Sequence, residues 1–390
     1  MKKNKFFYIL AAIFATTSLS GCYDSREIDE TAYIVALGID SENQKSYNYT
    51  FQLANPLEMS GGGAENESGG SPDSSVQNFV VSAPDFYIAK NQLNNFLSKT
   101  IDMSHLKLIV FSKTLDDDGF LNHSQFLIHE REVRPHTLVA VASESAGDFI
   151  KKVKPTLEAN TAKYYELMSI RSDNTYAPST NISDFLDQIS INNRTSVLPI
   201  AHSSAESSGE AHNPDELWVG TDSARIDSKN SCLRGMAVFK NGEICGYMNG
   251  DCAMIFNILN RKIKSCTITL KNPAPGNSNL VFRVNIPKSA GYKIEKSKNK
   301  YLITVSQNLD IKFIGEFLPE GFNSEDELYN FAKQTISQKF TDFLYDLSRG
   351  KRADIMNMGN HFKKLFADTT KWDPTLWQKI FESADFSVNL

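Results

Sequence analysis

The chain holds one long apolar run, Phe6 to Thr16, at its start. Lys2, Lys3 and Lys5 precede it, which is the charge order of an export signal. The run is too short and wrongly flanked for a lasting membrane span. No second run of this kind follows, so the rest of the chain has to bury its apolar residues in a globular fold. With 390 residues it can do so without a disulfide scaffold, and its length predicts two or three domains. A formal charge of −5 leaves no electrostatic footprint for nucleic acid.

Leu19-Ser20-Gly21-Cys22 closes the leader. This stretch resembles the bacterial lipobox, in which small residues enter the signal peptidase cleft and a thiol accepts a diacylglyceryl group. Leu19, Ser20 and Gly21 are therefore the expected cleavage segment, and Cys22 the expected lipidated N-terminus. Removing residues 1–21 takes away three lysines and no acid, which moves the formal charge from −5 to −8. An acidic surface is not held to anionic lipid, so the acyl chains would carry the attachment.

Ala32 to Asp40 reads as a buried strand. Tyr47, Tyr49, Phe51 and Leu53 alternate with polar residues, the period of a half-buried strand, so the two form a hairpin around Ser41 to Lys45. Residues 59–75 are rich in Gly, Ser and acids and predict a disordered loop. Strands are expected at Val76 to Ser82, Leu106 to Phe111 and Thr137 to Ala142. Helices are expected from Pro84 to Leu97, with Ile88, Leu93, Phe96 and Leu97 inward, and over Phe120 to Glu130, Ser145 to Lys152, Thr161 to Ile170 and Ile182 to Ile189. A polar stretch, Ser203 to Glu216, marks a boundary. Asn241-Gly242 between apolar strands is a strong hairpin signal, and Asp251 to Leu259 a helix. Period two returns from Ser265 to Phe317, where three strands are expected. Ser324 then caps a long helix with Glu327 at capping-box spacing. Helices over Asp354 to Phe366 and Asp373 to Glu382 and a strand from Phe386 follow. The fold class is α+β, with mixed sheets and helices in three units: an N-terminal α/β domain at 22–205, a hairpin and helix at 206–264, and an α+β domain at 265–390.

Catalytic patterns are absent. The five cysteines include no C-x-x-C, which argues against zinc. Cys22 aside, Cys232, Cys245, Cys252 and Cys266 are either two disulfides, with Cys245–Cys252 the first pair to test, or buried free thiols; the second option fits their placement in strands and helices better. The seven histidines form no metal-binding spacing, and no nucleophile elbow, Walker loop or dinucleotide fingerprint occurs. Asp116-Asp117-Asp118 lacks the spacing of a calcium loop. No cofactor is implied. Arg131 and Arg134 stand three apart, on one face if helical; they either dock an acidic partner or form structural ion pairs.

Five blocks in order carry a resemblance. They are Cys22-Tyr23-Asp24-Ser25-Arg26-Glu27-Ile28 running into Gly38-Ile39-Asp40; His105-Leu106 to Ser112; Glu130 to Pro135; Gly235 to Lys240; and Ala353-Asp354 to Gly359 followed by Trp372 and Trp377. Together they resemble the Ger(x)C family, the lipoprotein C subunits of spore germinant receptors. Departures are Lys113 where the family pattern has Glu, and Asn357-Met358-Gly359 where it has Gly-Phe-Gly. The resemblance implies three α+β domains, no enzymatic activity and a lipid anchor at Cys22. It also implies a place on the outer face of the spore inner (cytoplasmic) membrane, beside polytopic A and B receptor subunits. Two other classes compete: a lipid-anchored small-molecule-binding protein of a transporter, which would have two doubly wound lobes, and an envelope hydrolase, which would need paired carboxylates in a cleft.

Overall fold

The computed structural model describes residues 30–43, 46–54, 76–155, 158, 160–170, 174–190, 195–203, 217–220, 231–274, 276, 278–297, 300–363 and 373–390. The leader, Cys22, the 59–75 loop, most of the 203–216 boundary and Trp372 lie outside these residues.

The first sheet begins with β1 (Thr31–Asn43) and β2 (Ser46–Ala54), an antiparallel pair continued by β3 (Val76–Ala83). On the other flank of β1 come β5 (Leu108–Ser112), β6 (Leu138–Ala142) and β7 (Thr195–His202), all parallel. The antiparallel hairpin β8 (Cys232–Lys240) and β9 (Glu243–Met248) completes that edge, and the short β4 (Thr100–Asp102) pairs with the start of β1. At the hairpin tip Asn241 and Gly242 both have positive φ, 55° and 91°, as a type I′ turn demands.

Strands β5 and β6 are buried on both faces, so they read as unbroken apolar runs. Ile109, Phe111, Val139 and Val141 point into one core, and Leu108, Val110, Leu138 and Ala140 into another. The first core is closed by α1 (Phe86–Phe96), α2 (Asp117–His129) and α5 (Ile182–Ile189), the second by α3 (Ala146–Lys152) and α4 (Thr161–Ile170). Helix α3 sits unusually close to the sheet. A Cβ on Gly38 would come within 2.9 Å of Ile150, and one on Gly147 within 2.6 Å of the Thr50 hydroxyl. Asp40 fixes the contact by accepting from the backbone N–H groups of Ala146 (2.7 Å) and Gly147 (2.8 Å).

The inward face of α1 differs from expectation. Phe86, Ala89 and Leu93 are buried, whereas Ile88 and Phe96 are exposed. Asp85 caps the helix through the Ile88 N–H (2.9 Å).

Hairpin β8–β9 is shared between cores. Ala237 and Phe239 face the first sheet's core, while Met236 and Val238 face a third core with the rest of the chain. That third core holds α6 (Gly250–Leu259), in which every residue but Cys252 is buried. The stretch expected to hold three strands holds five: β10 (Ser265–Leu270), β11 (Leu280–Asn285), β12 (Gly291–Ser297), β13 (Lys300–Ser306) and β14 (Asp310–Phe313). They form two three-stranded sheets, β10-β11-β14 and β12-β13-β15, where β15 (Asp385–Asn389) pairs parallel with β13.

Helix α7 (Glu325–Tyr345) packs Leu328, Ala332, Ile336 and Phe340 against these sheets. Ser324 accepts from the Glu327 N–H (3.2 Å) as its cap. The Glu327 carboxylate takes the N–H of Asn323 (2.8 Å), one residue before the position a capping box uses. A π-helical turn, Asp346–Lys351, ends α7 at left-handed Arg352. Helix α8 (Met358–Lys363) begins later than expected, because Asn357 is left-handed (φ 53°). It is followed by α9 (Pro374–Ser383).

Candidate partner surface

Exposed and buried ionisable groups separate cleanly. Among the buried ones, His123 on α2 donates from Nδ1 to the Gly119 carbonyl (2.7 Å) and accepts at Nε2 from the Tyr49 hydroxyl (2.8 Å). Both ring nitrogens are thus satisfied in the neutral form. Burial holds the imidazole below its usual value, partly offset by the Gly119 bond and by Asp116 and Asp85, and it pushes the Tyr49 phenol up. This is a structural histidine rather than a ligand. The linkage has a definite sign. The unfolded chain takes up the proton near pH 6.5 and the folded chain only at lower pH. The stability tied to His123 is complete above pH 6.5, falls as the pH drops below it, and levels off past the lowered folded value. Each unit between the two values is worth about 1.4 kcal/mol. The urea midpoint is expected to drop between pH 7.5 and 5, and His123→Gln to shrink that drop. An equal drop in both proteins would remove His123 as its source.

The four described cysteines are free thiols, so the disulfide alternative does not hold for them. Burial raises Cys232 and Cys245 and pushes Cys266 up to about 12, leaving them protonated and poor nucleophiles. Among the described residues no three His, Cys, Asp or Glu side chains gather as a metal site requires.

The expected docking residues lie on the turn between α2 and β6. Successive bonds from the N–H of Val133 to the Glu130 carbonyl (3.0 Å) and of Thr137 to the Arg134 carbonyl (3.0 Å) make it two tight turns rather than the helix that the spacing of Arg131 and Arg134 assumed. The acids of this turn are tied down. Lys90 on α1 reaches Glu130 (3.1 Å) and Glu132 (3.6 Å), and Glu132 also accepts from the Met103 N–H (3.0 Å). Arg131 and Arg134 are both exposed, and neither forms an ion pair among the described residues. On the neighbouring α1, Tyr87 and Ile88 are 42% and 43% exposed, and Tyr87 leans edge-on against Phe126 of α2 (5.7 Å). Arginine and exposed aromatic side chains are residue types enriched at protein interfaces. Sequence reasoning missed the α1 half of this surface, because it turned Ile88 inward.

The C-terminal blocks of the resemblance serve the fold. The Asp354 carboxylate accepts from the N–H groups of Met358 (3.0 Å) and Gly359 (2.8 Å) and from Trp377 Nε1 (2.9 Å). Asn357 takes the left-handed conformation at a position where the family pattern has glycine, and asparagine is the non-glycine residue that tolerates it best.

Comparison with known families decides the identity. The model of the spore germination protein N-terminal domain matches residues 24–203, and that of the spore germination B3/GerAC-like C-terminal domain matches 234–390. The chain is a Ger(x)C family member. Spore germination protein KC of Bacillus subtilis (strain 168) is 26% identical over 194 residues, 46% of this chain and 45% of that protein. The chain thus aligns with under half of that relative. Spore germination protein GerQC of Bacillus cereus is 22% identical over 397 residues, 99% of this chain and 96% of that protein. Among solved structures, the crystal structure of the GerBC protein is similar at a TM-score of 0.50 and 15% identity, over 90% of this chain and 94% of that one. At that identity the likeness speaks for the fold, which as in this chain is α+β. The Ger(x)C family is that of spore germinant receptor C subunits.

Proposed function

We propose that the chain is a lipid-anchored, non-enzymatic subunit of a spore germinant receptor complex, needed for nutrient-triggered germination. The observation that carries the reading is the order of parts: Leu19-Ser20-Gly21-Cys22, which resembles a lipobox, then the two family domains in sequence from residue 24. Its place is the outer face of the spore inner membrane, and its partners are the polytopic A and B subunits. The docking surface is the exposed turn with Arg131 and Arg134 beside Tyr87 and Ile88, which suits an acidic, partly apolar partner. The units at 22–205, 206–264 and 265–390 are part of this reading. The middle one acts as a joint, since its hairpin extends the first sheet and its helix enters the third core. The transporter alternative expects two doubly wound lobes. Here one sheet has parallel strands covered on both faces, and the described strands of 265–390 are mostly antiparallel.

The test is co-purification from detergent-solubilised spore membranes through a C-terminal tag. Recovery of A- and B-type subunits is expected. The double variant Arg131→Glu/Arg134→Glu is expected to lose most of that recovery with unchanged stability, because exposed charge changes cost only about 0.5 kcal/mol. Recovery of no polytopic partner from intact membranes would overturn the receptor reading. Full recovery with the double variant would move the interface elsewhere.

A further inference from the structure

A cavity of about 210 Å³ opens where the carboxyl ends of β5, β6 and β7 meet the hairpin β8–β9 and the first turn of α6. Lys113 follows β5, Ser143 follows β6, and Ile200 and His202 end β7. In sheets with parallel strands, the space beyond the carboxyl ends is where ligands bind. Several features depart from regular pairing here. The β7–β8 ladder slips between Pro199 and Ala201, which puts Ile200 on a bulge. Gly235 has φ +77°, and a Cβ there would come within 2.6 Å of the Met248 carbonyl. Bulges and positive-φ glycines of this kind gather beside functional sites and re-aim their side chains.

The lining has one sign of charge. Among the described residues, Lys113, His202 and Arg234 contribute basic groups and no acid lines the cavity. Glu144, next to Ser143, is engaged by Ser203 (2.9 Å) and Lys152 (3.2 Å). Asp251, next to Gly250, lies against Gly220. Asn249 caps α6 by accepting from the Cys252 N–H (3.1 Å), and Asp251 in the same first turn offsets the positive end of that helix, so the basic character of the cavity rests on its side chains. His202 donates from Nε2 to the Arg234 carbonyl (3.0 Å), which ties the end of β7 to β8 across the cavity wall. The opposite character comes from Ile200 and Met248, which give the cavity an apolar side.

We infer that this cavity binds a small organic carboxylate, its oxygens toward Lys113 and Arg234 and a short aliphatic group against Ile200 and Met248. The volume lies below the 300–1,000 Å³ or so of drug-sized pockets, which limits the ligand to a few carbons beyond the carboxylate. The apolar wall distinguishes such a ligand from a free inorganic oxyanion, which has nothing to place there. The inference depends on neither the anchor nor the docking surface.

The probe is 3-methylbutanoate, titrated by calorimetry into the full-length protein in detergent, beside its neutral amide and inorganic phosphate. Saturable binding of the carboxylate is expected, with the amide at least tenfold weaker and phosphate weaker than the carboxylate. Lys113→Gln changes an exposed side chain and leaves the fold intact, and it is expected to weaken the carboxylate about tenfold. Arg234→Gln is expected to do the same, with its circular dichroism checked because the residue is half-buried. Absence of saturable binding up to millimolar concentrations overturns the inference, as do equal binding of the amide or an unaffected Lys113→Gln. Phosphate binding as tightly as the carboxylate overturns the assignment of the apolar wall.

Discussion

Asp354→Ala is expected to cost about 3–5 kcal/mol, since it orphans several buried donors and each one left unsatisfied costs about 1–3 kcal/mol. The carboxylate stands between three donors, the N–H groups of Met358 and Gly359 and the indole of Trp377. It thereby closes α8 onto α9. Burial raises its pKa, with the Gly359, Met358 and Trp377 bonds opposing that rise in part. Alanine would leave three buried donors without an acceptor and open a void beside Trp377. Gly359 makes the arrangement tight, since a Cβ there would come within 2.7 Å of Trp377 Nε1. The same segment forms a seam between the first sheet and α9. The Thr195 hydroxyl of β7 donates to the Asp354 carbonyl (2.8 Å), and Lys240 of β8 and Gln378 of α9 both donate to the Arg352 carbonyl (2.7 and 2.8 Å). The damage should therefore reach the seam as well as α8 and α9. Urea unfolding read by tryptophan fluorescence measures the loss, and amide exchange should show faster opening of β7 and α9 than of β5. Asp354→Asn keeps the shape and an accepting oxygen but turns an amide donor toward a donor, so an intermediate loss is expected. A loss under about 1 kcal/mol for Asp354→Ala would mean that water or a neighbouring acceptor replaces the carboxylate.

Much of this fold was legible where local chemistry and tertiary packing agree. The β1–β2 hairpin followed from alternation, the turn at Asn241-Gly242 from its φ requirement, and α7 from its cap and apolar spacing. Strand β7 was missed. Its run Thr195–His202 is buried almost throughout, so it shows no alternation, and Pro199 reads as a strand breaker. Strands β12 and β14 were missed for the opposite reason: GYKIEKS and DIKF carry polar, exposed positions that imitate loops. The face of α1 was misjudged because its inward residues include small Ala89, while larger Ile88 and Phe96 are left outside. At the candidate surface, Arg131 and Arg134 could be named from sequence but not their setting. The turn that presents them is shaped by backbone bonds and by Lys90, some forty residues earlier in the chain. The cavity was invisible for a related reason. Lys113, Ser143, His202 and Arg234 are brought together only by the parallel order of β5, β6 and β7 and the antiparallel addition of β8, which no spacing along the chain encodes.

Cys22→Ala is expected to move the protein out of the salt-washed membrane fraction almost completely. Each buried methylene contributes about 0.8 kcal/mol, so two acyl chains give a durable anchor where a single chain binds only marginally. Among the described residues no helix is long and apolar enough to cross a membrane. The processed chain would carry a formal charge of −8, three lysines fewer than the −5 of the whole, and anionic lipid repels such a surface. Salt therefore separates the two modes of attachment. An electrostatic association weakens as the Debye length falls from about 10 Å at 0.1 M to about 3 Å at 1 M, whereas an acyl anchor does not. The wild-type protein should stay with membranes in 1 M salt and the variant should leave. An uncleaved leader is a competing tether. The mass of the N-terminal peptide identifies it, and deleting residues 2–21 removes it. Retention of Cys22→Ala with that leader deleted would sink the lipid anchor and assign attachment to protein partners. Release of the variant together with loss of the co-purified subunits would mean that two-dimensional confinement at the membrane, as well as the Arg131/Arg134 surface, holds the complex together.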